Sequence, residues 1–107
     1  MFDYSREAVL LAGKRKRSDL DTDRMLQLSL VRLVEIVGEA ASHVSDDTRQ
    51  RYPQIPWLQI AGMRNRLIHG YDFVDYDILW QTVMEDLPAL VVTLEPLVPA
   101  LPQDPES

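Results

Sequence analysis

"TDRMLQLSLVRLVEIVGEAASHV", residues 22–44, is the stretch whose reading decides the fold. Its apolar positions Met25, Leu28, Val31/Leu33, Val34, Val37, Ala40/Ala41 and Val44 recur at helical spacing, and Thr22 is a reasonable start. Roughly 22 residues in this conformation make a rod about 33 Å long. Near its end, Gly38-Glu39-Ala40-Ala41 supplies small side chains where a neighbouring helix can approach closely.

Helical patterning continues on both sides. Upstream, a helix is expected from about Ser5 to Arg17, with Ser5 as N-cap and Glu7 in the favourable first turn. Downstream, a short turn from Ser45 to Arg51 stops before Pro53. A third long helix should begin at Pro56-Trp57, bury Leu58, Ile60/Ala61 and Leu67/Ile68, and end around His69-Gly70. A fourth starts near Asp75 with the stripe Ile78/Leu79, Val83, Leu87, Leu90/Val91, Leu94 and Val98. Pro88 within it should kink the helix, because its ring clashes with the carbonyl of Met84 and it lacks an amide hydrogen. No segment sustains a two-residue alternation, so no sheet is expected. The reading is an all-α, up-and-down bundle of four to five helices, a single domain over residues 1–98 with a loose tail over 99–107.

Composition sets the limits. Apolar residues form 46% of the 107, enough for one core. There is no cysteine, which removes disulfide and thiolate chemistry. No apolar run nears the roughly 20 residues of a membrane span, and the run Ala8–Ala12 is too short for a secretory leader and follows Asp3 and Glu7. A soluble, cytoplasmic protein without membrane partners is expected. The formal charge of −6 argues against non-specific coating of nucleic acid. All 11 basic residues lie at or before Arg66; residues 1–70 hold them against nine acids, net +2, and residues 71–107 hold eight acids alone, net −8. That division suits a small local anion site.

The place for such a site is "RNRLIHGY", residues 64–71. On a regular helix, Asn65 and His69 lie about 40° apart, whereas Arg64 and His69 lie about 140° apart. The latter two converge in one chain only if the helix loosens before Gly70; otherwise a symmetric dimer can bring Arg64 of one subunit to His69 of the other. The residue types suit metal-free RNA cleavage. A histidine can exchange protons with a ribose 2′-hydroxyl or the leaving 5′-oxygen, and an arginine fork can hold the phosphate. Asn65 can orient the imidazole or bind a phosphate oxygen, and two sites at a two-fold axis would let one histidine act as base and the other as acid. From residue types alone a plain helix end explains the cluster as well, with His69 and Arg66 at the negative dipole end, Gly70 as left-handed cap and Tyr71 packed on the bundle.

"LVRLVEIVGEAASHVSDDTRQRYPQIPW" (residues 30–57), "IPWLQIAGMRNRLIHGY" (55–71) and "DFVDYDILWQTVMEDLPAL" (72–90) together resemble the HepT-like family of HEPN-domain toxins. The similarity runs from about Arg24 to Leu97, and Arg64, His69 and Tyr71 match the family's Arg-(four residues)-His-x-Tyr motif, with Asn65 in its usual place. The resemblance implies a helical bundle that forms a homodimer through the motif-bearing helix. It also implies metal-independent endoribonuclease activity on RNA, exercised as the toxin of a toxin–antitoxin pair. Arg64 and His69 are then catalytic, Asn65 supports them, and no cofactor is needed. The implied partner is an MntA-type nucleotidyltransferase antitoxin, with Tyr71 the candidate for AMPylation. The alternative reading is a non-catalytic helical nucleotide-binding or adapter subunit of a nucleotidyltransferase complex.

Three other features carry less. Lys14-Arg15-Lys16-Arg17 reads as a solvated helix end, with RNA or partner contact as the other option. His43 has no second ligand at metal-binding spacing. Trp57 and Trp80 lie outside any basic aromatic series and suit core or interface.

Overall fold

A computed structural model of the chain describes residues 1–69 and 73–100, with His69 and Ala100 described by backbone alone. Gly70, expected to cap the helix, Tyr71 and the expected tail beyond Ala100 lie outside the described residues.

The first helix, α1, spans Phe2–Ala12. It starts earlier and stops sooner than its sequence suggests, because Ser5 is not a cap. Ser5, Ala8 and Ala12 are all buried, and these small side chains let α1 press against its neighbours. Past Gly13 the chain leaves the helix, since its basic residues are claimed by carboxylates of the next segment. Arg15 pairs with Asp19 at 3.3 Å and with Asp23, and Arg17 pairs with Asp21 at 3.0 Å. That segment forms a short helix of its own, α2 (Asp19–Thr22).

The long helix α3 runs over Arg24–Ser42. Its cap is Asp23, not Thr22: the Asp23 carboxylate accepts from the Leu26 amide at 3.0 Å, filling an orphan donor of the first turn. Gln27 ties α3 to its surroundings, donating to the Leu20 carbonyl at 2.6 Å and accepting from the Tyr76 hydroxyl at 3.2 Å. At the other end, α4 (Asp46–Arg51), capped by Ser45, aims Arg49 back to donate to the Ala41 carbonyl at 2.9 Å.

The third helical run is broken in two. α5 (Trp57–Ala61) and α6 (Met63–Leu67) flank Gly62, and the indole of Trp57 donates to the Tyr52 carbonyl at 3.0 Å. Gly38 explains how α5 comes so close to α3. A Cβ there would sit 3.1 Å from the Ile60 carbonyl oxygen, a tight contact that glycine avoids as the two backbones approach. The close approach expected from Gly38-Glu39-Ala40-Ala41 is thus present.

α6 ends at Leu67, two residues before the expected stop. Ile68 and His69 form a strand, β1, paired antiparallel with β2 (Phe73–Val74), in the register Ile68↔Val74 and His69↔Phe73. This ladder departs from the expectation of no pairing, but it is a clasp of two residue pairs and forms no layer. The Asp75 amide donates to the Leu67 carbonyl at 2.7 Å, and the Asp75 carboxylate caps α7 (Tyr76–Gln81) by accepting from the Asp77 and Ile78 amides.

At Pro88, where a kink is expected, the helix is interrupted by a wider turn. A π-helical turn over Thr82–Asp86 precedes α8 (Leu87–Leu94), with the Leu87 amide donating to the Thr82 carbonyl. The wider turn gives the pyrrolidine ring room among the preceding carbonyls. A 3₁₀ turn over Glu95–Ala100 follows, so Pro99, placed in the tail from sequence, still lies in a helical turn.

α1 packs on α8 and α3, and α3 packs on α5, around a core in which Leu30, Val34, Val37, Ile60, Leu67, Leu79, Val83 and Leu87 are fully buried. The fold is an all-α bundle. Among the described residues, no helix is long and apolar enough to cross a membrane.

Candidate active site

Helix α6 is short, and its buried residues Met63 and Leu67 fix how it sits. Between them Arg64 and Asn65 are turned outward and exposed. They form one wall of a groove of about 290 Å³, whose lining includes Ala61 beside them and, from α3, Glu35, Gly38, Glu39 and Ser42. The groove exists because α3 and α5 meet at Gly38, which brings residues 35–42 opposite residues 61–65.

The two arginines of the motif part ways. Arg66 is bound to Asp86 at 3.2 Å and faces a second cleft toward α8. Among the described residues Arg64 has no ion-pair partner, so its guanidinium is available to a ligand. Opposite it, Glu35 is paired with Arg32 at 3.5 Å, while Glu39 is exposed and unpaired among the described residues.

His69 follows α6 on the strand β1, its backbone held opposite Phe73. The helical-wheel separation of 140° between Arg64 and His69 therefore does not apply, because the helix loosens before Gly70. Asn65 and His69 likewise do not share a helical face. A second chain is not demanded by helix geometry. Arg64 and Asn65 stand together on the groove; the side chain of His69, and Tyr71 altogether, lie outside what the structure describes.

Sequence reasoning did not anticipate Glu35, Glu39 and Ser42 as groove residues. The small-residue stretch at Gly38 was the available signal, since whatever flanks a close helix contact must line the adjoining groove.

The remaining singled-out residues have structural partners. Lys14–Arg17 is not a helix end but the link from α1 to α2, and two of its four cations are held by acids: Arg15 by Asp19 and Asp23, Arg17 by Asp21 and by Asp77 at 2.8 Å. His43 is the exposed residue after α3, where its amide donates to the Glu39 and Ala40 carbonyls. Among the described residues no group of three His, Asp or Glu could hold a metal ion. Trp57 is buried, and Trp80 packs against the core.

Comparison with known proteins gives the chain a family. The HepT-like family, described as "Ribonuclease HepT-like", matches residues 1–97. The chain belongs to the HepT-like ribonuclease family. A Thermococcus cleftensis protein named "Probable ribonuclease HepT" is 42% identical over 79 residues, covering 74% of this chain and 72% of its own. Two Methanocaldococcus jannaschii proteins named "Putative RNase" are similar as well. One is 38% identical over 68% of this chain and 67% of its own; the other is 29% identical over 92% and 81%. No solved structure matches the chain significantly. Membership of this family makes the helical bundle an enzyme scaffold, of the ribonuclease class.

Proposed function

We propose that the chain is a metal-independent endoribonuclease, the toxin of a toxin–antitoxin pair, with Arg64 and His69 as its catalytic residues and Asn65 in support. The observation that carries this is the exposure of Arg64 beside Asn65 on a groove wall, two residues of helix before the strand bearing His69. An unpaired guanidinium at a groove is a ready phosphate ligand.

In this mechanism Arg64 grips the non-bridging oxygens of a phosphodiester. His69 takes the proton from the ribose 2′-hydroxyl, whose oxygen attacks phosphorus. The 5′-oxygen leaves as charge shifts onto it and takes up a proton from an imidazolium. The bond formed is 2′-O–P and the bond broken is P–O5′, leaving a 2′,3′-cyclic phosphate and a 5′-hydroxyl. No water is consumed and no metal is required. The working unit is a homodimer in which Arg64 of one protomer and His69 of its partner share one phosphate. Leu58, expected to be buried but 81% accessible on α5, and Phe73, 60% accessible on β2, are the exposed apolar side chains nearest this region in sequence and favour such an association. An MntA-type nucleotidyltransferase is the proposed antitoxin, silencing the dimer by transferring AMP to Tyr71.

Incubation of purified protein with single-stranded RNA in EDTA tests the chemistry. Cyclic-phosphate and 5′-hydroxyl ends are expected; 5′-phosphate ends, or a requirement for divalent metal, would exclude it.

A second reading draws on the charge division. With net −8 over residues 71–107, a long RNA footprint is disfavoured, and a nucleotide-binding adapter of the nucleotidyltransferase fits. An AMP-sized mass increment on incubation with partner and ATP, absent in Tyr71→Phe, together with no RNA cleavage, would favour it.

A further inference from the structure

The groove beside Arg64 is built for more than phosphate. Its α3 wall carries two carboxylates one turn apart, Glu35 and Glu39, which repel a polyanion, while its α6 wall carries Arg64, which attracts one. Those opposing demands are met by a nucleotide lying across the groove, with phosphate on the Arg64 side and base on the α3 side. Its size, about 290 Å³, suits a single nucleobase.

The hydrogen-bonding pattern narrows the base. Glu35 is turned toward Arg32 at 3.5 Å, which leaves Glu39 as the open acceptor. A carboxylate presents two acceptor oxygens side by side and no donor. Among the four RNA bases only guanine offers two adjacent donors, N1–H and the N2 amino group, on its Watson–Crick edge. Adenine and cytosine pair a donor with an acceptor there, and uracil sets one donor between two acceptors. Asn65, across the groove, has an amide N–H to give to guanine O6. Gly38 lines the groove between them, where the α3 and α5 backbones meet. Unpaired bases in single-stranded RNA are commonly read through this edge.

We infer that the groove between α3 and α6 is a guanine subsite, with Glu39 as the specificity-determining residue that directs cleavage beside guanosines. This rests on the ribonuclease reading but is separable from it.

The test uses the full chain and four RNA oligonucleotides, each a run of one base flanking a single variable nucleotide, with guanosine, adenosine, cytidine or uridine at that place. Cleavage next to guanosine should exceed cleavage next to the other three by tenfold or more. Glu39→Gln keeps the shape but replaces one acceptor by a donor. It should level that preference, bringing the rate beside guanosine down to the rate beside the other bases. Cutting without base preference, or a guanosine preference that survives Glu39→Gln, overturns the inference and leaves the ribonuclease reading intact. If wild-type protein cuts none of the four, the ribonuclease reading fails instead. Titration of GMP, AMP, CMP and UMP by calorimetry then decides the subsite: tighter GMP binding that Glu39→Gln abolishes supports it, and equal or absent binding overturns it.

Discussion

Arg64 and Asn65 are exposed because Met63 and Leu67 are not, and the same division of labour appears in the basic link before α3. Arg15 and Arg17 are held by acids and do not stand free for RNA. Asp23 is kept below the ordinary carboxylate value of 3.8, first by the Leu26 amide and then by Arg15; Asp19 is kept below it by the Lys16 amide and then by Arg15. A carboxyl that titrates lower in the folded chain than in the unfolded one favours folding at pH above its unfolded value. That contribution fades as pH falls through the carboxylate range. Both groups are only half-buried and lie around α2, so the expected result is local release of α2 in acid and not global unfolding. NMR titration should give midpoints below 3.8 for both. Arg15→Ala should move the Asp23 midpoint only part of the way back, since the Leu26 amide remains. An unchanged midpoint would show that the ion pair does not act on Asp23.

Helices meet where side chains are smallest, and Gly38 is the clearest instance. Gly38→Ala would place a Cβ 3.1 Å from the Ile60 carbonyl oxygen, a backbone atom that cannot swing aside. Overpacking of this kind costs about 1–3 kcal/mol, against roughly 1 kcal/mol gained in helix propensity. A fall of several degrees in the thermal midpoint is expected by circular dichroism; an unchanged or raised midpoint would mean that the contact yields freely. Periodicity made α3 legible as a helix but misplaced the start of its buried face: Leu26 and Leu30 are buried, whereas Met25 and Leu28 of the expected stripe are exposed. The start of α4 was legible too, because Ser45 caps locally. What periodicity could not show was set by distant partners. The end of α6 is decided by Phe73–Asp75 pairing back on Leu67–His69, and the π turn by how a long helix accommodates Pro88. Arg64 and Asn65 could be found from the motif. The α3 wall of the groove was signalled only indirectly, by the small residues at Gly38, because packing there carries Glu35 and Glu39 to it.

The molecule as a whole divides its charge, with cations gathered before residue 67 and net −8 after residue 70. If RNA is gripped at Arg64 as proposed, few phosphates are contacted and cleavage should weaken only shallowly with salt. If one phosphate is shared across a dimer, mixing Arg64→Ala protomers with His69→Ala protomers restores one complete site in each mixed dimer. Activity approaching half the wild-type value per mixed dimer is expected; none would place both groups of a site in one chain or require both histidines together. Beneath the question of assembly lies the chemistry itself. The most direct measurement is cleavage of single-stranded RNA in EDTA by wild type, Arg64→Ala and His69→Ala, each purified identically. Wild-type cleavage, with losses of about 10²-fold or more in both variants, is the predicted result; cleavage by His69→Ala at the wild-type rate would contradict it.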